Sequence, residues 1–120
     1  KPNEVTRLSL LRAKFAENLA EACGLKAQKD ELFLMGLFSV LDVILEKPMA
    51  EALKVVHVAG EISNALIYRI GVLAPVYDFM LQYETANWAE VSRLMLLKNI
   101  DMNTVYEAYT SALKWYRTVR

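Results

Sequence analysis

Apolar residues recur at spacings of three and four along most of the chain, which is the pattern of amphipathic α-helices. No segment alternates in the way that predicts a β-strand. Asn3 is placed to cap the first helix and Gly24 to end it. The apolar positions of that helix are Val5, Leu8, Leu11, Phe15, Leu19 and Cys23. The pattern predicts an all-α domain, a compact bundle of about seven helices.

One segment departs from the amphipathic pattern, because residues 32–45 are apolar except for Gly36, Ser39 and Asp42. A helix that is apolar on every side is buried, and this run is too short to span a bilayer. We therefore expect residues 29–46 to form one continuous helix at the centre of the bundle.

Later helices are delimited by residues that favour helix ends. Residues 61–70 form a predicted amphipathic helix with Ile62, Leu66 and Ile70 on one side, ended by Gly71. Asn87 and Asp101 are predicted N-caps, since a short side-chain oxygen can accept from the free N–H groups of a first turn. The inward stripe of the last helix is predicted to be Val105, Tyr109, Ala112 and Tyr116.

Charge excludes two classes of partner. The chain has 14 basic and 14 acidic residues without a block of like charge, so neither a nucleic-acid footprint nor a polybasic patch for anionic lipid is present. One cysteine provides no disulfide framework, and a cytoplasmic location is expected. The sequence starts with Lys1 rather than Met, and we expect residues 1–120 to be a piece of a longer protein that belongs to one helical domain.

Two residue types that often carry chemistry occur once each. His57 is the single histidine, so it cannot complete a zinc site of about three protein ligands, and we expect it in a half-exposed loop. Cys23 ends an apolar stripe and has no basic residue within the preceding turn. It is expected to be a small buried hydrophobe rather than a reactive thiol.

Asp42 is the strongest candidate for a functional carboxylate. It is a lone acid in an apolar segment, where burial of charge is costly unless the charge is paired. Pairing with an arginine or lysine is the first interpretation, and a functional carboxylate with a raised pKa is the second. Glu46 lies four residues further on, so the two carboxylates would share a helical face and could hold Mg²⁺.

Three stretches taken together resemble a known family. They are residues 31–42 (ELFLMGLFSVLD), residues 83–88 (YETANW), and residues 106–109 (YEAY) with 112–115 (ALKW). In this order they resemble the C-terminal half of HDOD domains (HD-related output domains), in the version found behind EAL domains of bacterial cyclic di-GMP signalling proteins. Whole HDOD domains are longer than this chain.

The resemblance implies a module without its own catalysis. HDOD domains are similar to HD phosphohydrolases, whose His-Asp metal doublet would fall at Ser39 and Val40. Neither residue is a useful ligand for a divalent cation, so no catalytic residue and no cofactor is expected. The implied function is regulatory, through contacts with an attached EAL-type domain or another signalling protein, and any phosphodiesterase chemistry would lie in the EAL domain.

Two alternatives remain open at this point. One is a small helical enzyme or ligand sensor with Mg²⁺ bound near Asp42 and Glu46. The other is a purely structural dimerisation domain. Apolar helix faces that would pack against the rest of a longer HDOD domain predict a surface that interacts with a partner or forms a homodimer. We expect it on the first helix, at Leu8, Leu10, Leu11 and Phe15.

Overall fold

The fold consists of α-helices joined by short turns. A computed structural model describes residues 3–119, so the expected domain of residues 1–120 is described except for its first two residues and its last. Its helices are α1 Glu4–Leu19, α2 Lys29–Phe38, α3 Leu41–Leu45, α4 Met49–Ala52, α5 Gly60–Ser63, α6 Ala74–Glu84, α7 Trp88–Lys98 and α8 Met102–Val119. Residues 3–119 contain no strand, and the all-α prediction is confirmed.

Two further helical turns are not α-helical: one is wound more tightly than an α-helix and one more widely. A 3₁₀ turn, Lys26–Gln28, leads into α2, and a π-helical turn, Asn64–Tyr68, extends α5. Within the described range, none of the helices combines the length and the hydropathy that crossing a bilayer requires.

The centre of the bundle is α1, not the segment 29–46. Helix α1 packs against α2, α6 and α8. Its residues Ala13, Ala16 and Leu19 are fully buried. Two of these are alanines, whose small side chains allow neighbouring helices to approach closely, and this explains why α1 takes the central position.

The predicted continuous helix over residues 29–46 is wrong. It is divided into α2 and α3 at Ser39 and Val40, where Val40 has a φ of −110° and a ψ of 8°, outside the helical region. The prediction that no side of this segment faces water is also wrong. Leu34 is 39 % exposed, and Val43 and Ile44 of α3 are more than half exposed.

The predicted apolar stripe of residues 61–70 holds only for its first part. Ile62 and Leu66 are buried as predicted, whereas Ile70 is 54 % exposed. The π-helical turn shifts the helical phase after Ser63, and Arg69, with a φ of 57°, ends the helix before Ile70. Gly71 therefore follows the end of the helix rather than forming it.

Capping by short polar side chains is confirmed at three helices. Asn3 Oδ1 accepts from the Thr6 N–H at 2.8 Å, and Asn87 Oδ1 accepts from the Glu90 N–H at 3.5 Å. Asp101 Oδ1 accepts from the Thr104 N–H at 2.8 Å. The inward stripe of α8 is also confirmed, with Val105, Ala112 and Tyr116 buried and Tyr109 half-buried.

The cap at Asp101 makes part of the stability depend on pH. The hydrogen bond from the Thr104 N–H holds the pKa of Asp101 below its usual 3.8. The folded state favours the charged carboxylate, so the stabilisation is complete above pH 3.8 and is lost as the pH falls through the lowered pKa. Asp101→Ala is expected to lower the urea midpoint at neutral pH and to lower it less at about pH 2. Equal losses at both pH values would contradict this assignment.

Candidate functional site

Ser39 and Val40 occupy the break between α2 and α3, and both are buried, with 4 % and 3 % of their surface exposed. The Ser39 hydroxyl donates to the Gly36 carbonyl at 2.7 Å. It also accepts a hydrogen bond from Nη1 of Arg12 at 3.1 Å. At the first position of the doublet that the resemblance places here, the Ser39 side chain therefore contacts a guanidinium.

Arg12 connects this break to the end of α6. Its Nε donates to Oε2 of Glu84 at 2.8 Å and its Nη2 to Oε1 at 2.7 Å. The two side chains are 13 % and 25 % exposed, and Glu84 lies at the surface, so the two-pronged pair is partly shielded from water on its Arg12 side. Such a geometry fixes both position and orientation of the charged groups. The Arg12–Ser39–Glu84 cluster thus joins α1, α6 and the α2–α3 break.

The guanidinium in this cluster is held in its charged form. Burial opposes the charge on Arg12, but the hydrogen bonds and the negative charge of Glu84 outweigh that effect, with a smaller contribution from Asp42. The net result is a pKa of Arg12 above its usual value. The charge beside Ser39 is paired with Glu84, so the Ser39 hydroxyl and the Glu84 carboxylate are both engaged by Arg12.

Gly36 allows the cluster to form, because α2 lies against the backbone of α1 at this residue. A Cβ atom on Gly36 would lie 2.5 Å from the Arg12 carbonyl carbon and oxygen and from the Ala13 nitrogen. These distances are shorter than any normal non-bonded contact. The close approach of the two helices places the Ser39 hydroxyl within reach of Arg12.

The carboxylates of Asp42 and Glu46 are not arranged as the sequence pattern predicted. Helix α3 ends at Leu45, and Glu46 has a left-handed backbone with a φ of 54°, so the helical face that would hold both carboxylates ends before Glu46. Asp42 is half-buried, and among residues 3–119 no arginine or lysine nitrogen lies within 4 Å of it. The described residues also contain no group of three or more histidine, cysteine or acidic side chains suited to a metal ion.

Two of the three family-like stretches, residues 83–88 and residues 106–109, meet around Tyr83. Its ring centroid lies 5.4 Å from that of Phe15 and 5.3 Å from that of Tyr109. Trp88 packs edge-on against it at 5.5 Å. Burial, followed by the neighbouring Tyr109 and Tyr106, raises the pKa of Tyr83. This aromatic cluster joins α1, α6, α7 and α8, and it serves packing.

The predicted interaction surface on α1 is largely inside the fold. Leu11 is 6 % exposed and Phe15 is 2 % exposed, so neither side chain is available to a partner in this conformation. Leu8 and Leu10 are half-buried. An interaction through α1 stays a prediction that depends on Leu8 and Leu10.

Large apolar side chains are instead exposed on α7. Leu96 is 83 % exposed, Leu97 is 67 % exposed, and Trp88 is 52 % exposed. Helix α7 packs on α6 through the buried Val91, which leaves its outer side without a partner among the described residues. We name Leu96 and Leu97 the α7 patch. Exposed apolar groups of this kind are typical of interaction surfaces.

Cys23 lies at an apolar pocket, and His57 is exposed in the loop between α4 and α5. Burial raises the pKa of the Cys23 thiol, and the charge of Lys98 acts in the opposite direction. A raised pKa reduces the thiolate fraction at neutral pH, which agrees with the expectation of an unreactive thiol. The side chain is half-buried.

Sequence reasoning did not identify Arg12 or Glu84. The available signal was the position of Arg12, which lies one turn after Leu8 and one turn before Phe15, on the apolar side of α1. A charge there requires a partner. That partner is 72 residues away along the chain, and no local pattern indicates it.

Two curated proteins are similar to this chain. It is 31 % identical over 119 residues to the cyclic di-GMP phosphodiesterase CdgJ of Vibrio cholerae, which covers 99 % of this chain and 28 % of that protein. It is 28 % identical over 113 residues to the uncharacterized protein YuxH of Bacillus subtilis, covering 94 % of this chain and 27 % of YuxH.

The chain thus spans little more than a quarter of the length of these two relatives. No family model matches it, and no solved structure matches it significantly. The chain is similar to one part of a bacterial cyclic di-GMP phosphodiesterase, and its resemblance to an HDOD domain stays a prediction.

Proposed function

We propose that this chain is a non-catalytic regulatory module of a cyclic di-GMP signalling protein, corresponding to the C-terminal part of an HDOD-like domain. It acts through contacts with an attached EAL-type domain or with another signalling protein. The similarity to part of a cyclic di-GMP phosphodiesterase supports the signalling context. The chemistry of the chain's own residues supports the regulatory role.

The observation that carries the proposal is the Arg12–Ser39–Glu84 cluster. In HD phosphohydrolases the corresponding helix supplies a His-Asp doublet to a metal site. Here Ser39 is bound to a guanidinium, and Glu84 is engaged by the same guanidinium. The cluster neutralises its own charges and makes a fixed connection between helices, which is a structural role.

The α7 patch is the surface that we propose for docking. Its two leucines are the most exposed large apolar side chains among the described residues. Burial of such side chains at an interface contributes about 1.5–3 kcal/mol each. Contacts at α7 would be relayed to α6 and from there to the Arg12–Glu84 pair at the end of α6.

The absence of catalysis can be tested on the chain itself. Incubated with cyclic di-GMP and Mg²⁺ or Mn²⁺, residues 1–120 are expected to give no hydrolysis above a protein-free blank, as measured by chromatography of the products. An active EAL domain serves as the positive control. Hydrolysis that requires the metal and disappears in Asp42→Asn would contradict the proposal and support the alternative Mg²⁺ site near Asp42 and Glu46.

Structural dimerisation is a second candidate function, since a second copy of the chain could also cover the α7 patch. Sedimentation velocity distinguishes the two candidates. A dimer that persists at low protein concentration and is lost in Leu96→Asp would favour dimerisation as the function. A monomer that gains a heterologous partner through the same leucine would favour the regulatory module.

A further inference from the structure

An apolar pocket lies between α6, α7 and the turn that follows α1. Its volume is about 220 Å³. Its walls are side chains from three stretches of the chain, residues 23–25, 72–79 and 94–100. They are Cys23, Leu25, Val72, Pro75, Val76, Phe79, Leu94, Lys98 and Ile100.

Lys98 is the one ionisable group with a full charge in this lining at neutral pH. It lies in the last turn of α7 and is exposed. No carboxylate of residues 3–119 lies within 4 Å of its ammonium group.

Lys98 and Cys23 both line the pocket. The charge of Lys98 opposes the effect of burial, which raises the pKa of the Cys23 thiol. The pocket therefore combines an apolar body with one positive charge that has no negative partner.

We propose that this pocket binds a small amphiphilic monocarboxylate, with the apolar body against Val76, Phe79 and Leu94 and the carboxylate at the Lys98 ammonium. A dry cavity of about 150 Å³ accommodates benzene, so this pocket accommodates an apolar body of roughly eight or nine carbon atoms on the same scale. Neither the docking role nor the absence of catalysis is needed for this inference.

The same lining argues against two other ligands. Cyclic di-GMP is larger than the pocket and carries two phosphates and two guanines, which need several polar partners, whereas this lining offers only Lys98 and the thiol. An apolar cation of the same size would be repelled by Lys98. Charge and volume together select a single negative charge on a short apolar body.

Cys23 provides a direct probe of occupancy, because it is the only cysteine of the chain. The rate at which a chromogenic disulfide reagent labels Cys23 is measured with increasing octanoate. Octylammonium, with the same chain and the opposite charge, is the control probe. Lys98→Gln is the test variant, and Lys54→Gln, at an exposed lysine outside the pocket, is its matched control.

Octanoate is expected to slow the labelling saturably, with a Kd on the order of 1 mM for a ligand of this size. Lys98→Gln should weaken octanoate binding about fivefold, while Lys54→Gln should not change it, and octylammonium should protect poorly. Absence of saturable protection up to about 10 mM would overturn the proposal. So would equal protection by the two probes, or an octanoate affinity that is unchanged in Lys98→Gln.

Discussion

Gly36→Ala is expected to lower the free energy of unfolding by about 3 kcal/mol or more, at the upper end of the range for overpacked cores. The added methyl group would lie 2.5 Å from backbone atoms of Arg12 and Ala13. Backbone atoms in the middle of a helix cannot rotate away as the end of a side chain can. The two helices must therefore separate, which also removes the Ser39 hydroxyl from Arg12. Urea unfolding followed by circular dichroism measures the loss.

Gly60→Ala is the matched control for this substitution. Gly60 begins α5, and a Cβ atom there would meet nothing within 4 Å. Alanine is favoured over glycine in a helix by up to about 1 kcal/mol, so this variant should be as stable as the original or slightly more stable. If Gly36→Ala behaved like Gly60→Ala, the close approach of α1 and α2 would be wrong.

Loss of the Arg12–Glu84 pair is expected to have the second largest effect. Arg12→Met and Glu84→Gln should each cost about 1–2 kcal/mol, less than the loss for a fully buried pair, because Glu84 is exposed and water screens part of the interaction. Glu84→Gln leaves the partly buried charge of Arg12 without its partner, and Arg12→Met leaves the Ser39 hydroxyl without a donor. The double variant should therefore lose less stability than the sum of the two single losses.

The pair of Glu90 and Arg93 on α7 is the control for this cycle. The two residues form an ion pair on the surface, where such pairs contribute little. Arg93→Met and Glu90→Gln should leave the urea midpoint nearly unchanged, with additive effects. Additive losses for Arg12→Met and Glu84→Gln as well would show that the cluster does not connect α1 with α6.

Local signals in the sequence were sufficient for the starts of three helices. Asn3, Asn87 and Asp101 cap helices as predicted, since capping depends on residues within one turn of each other. The predicted end of the first helix at Gly24 is wrong, because α1 ends at Leu19 and Gly24, with a φ of 72°, lies at the end of the turn that follows. The all-α fold follows from the same short-range periodicity.

The break between α2 and α3 could not be predicted in this way. Residues 32–45 are apolar in composition, but the division at Ser39 and Val40 coincides with contacts to Arg12 and, through it, to Glu84 in α6. Whether an apolar segment is buried also depends on which other elements pack against it, and the sequence does not show this. The exposure of Val43 and Ile44 was therefore not predicted. The π-helical turn Asn64–Tyr68 similarly moved Ile70 out of the apolar stripe that the sequence predicted.

For the candidate site, only the lack of metal ligands was predicted before the structure. The resemblance to HDOD domains implied that Ser39 and Val40 stand where a His-Asp doublet would bind a metal, and neither residue is a useful metal ligand. The sequence did not indicate that Arg12 contacts Ser39, because that contact depends on the α1–α2 approach at Gly36. It also did not indicate the pocket beside Lys98, which residues from several separate segments form.

The regulatory role is tested most directly in the longer cyclic di-GMP signalling protein to which we propose this chain belongs. The measurement is the rate of cyclic di-GMP hydrolysis by that protein carrying Leu96→Asp and Leu97→Asp in the α7 patch. Val43→Asp, at a half-exposed position of α3, is the control. We expect the α7 variant to change the rate by about fivefold or more, the range of typical coupling between sites, and the control to leave it unchanged. A rate that is the same in all three proteins would contradict regulation through α7.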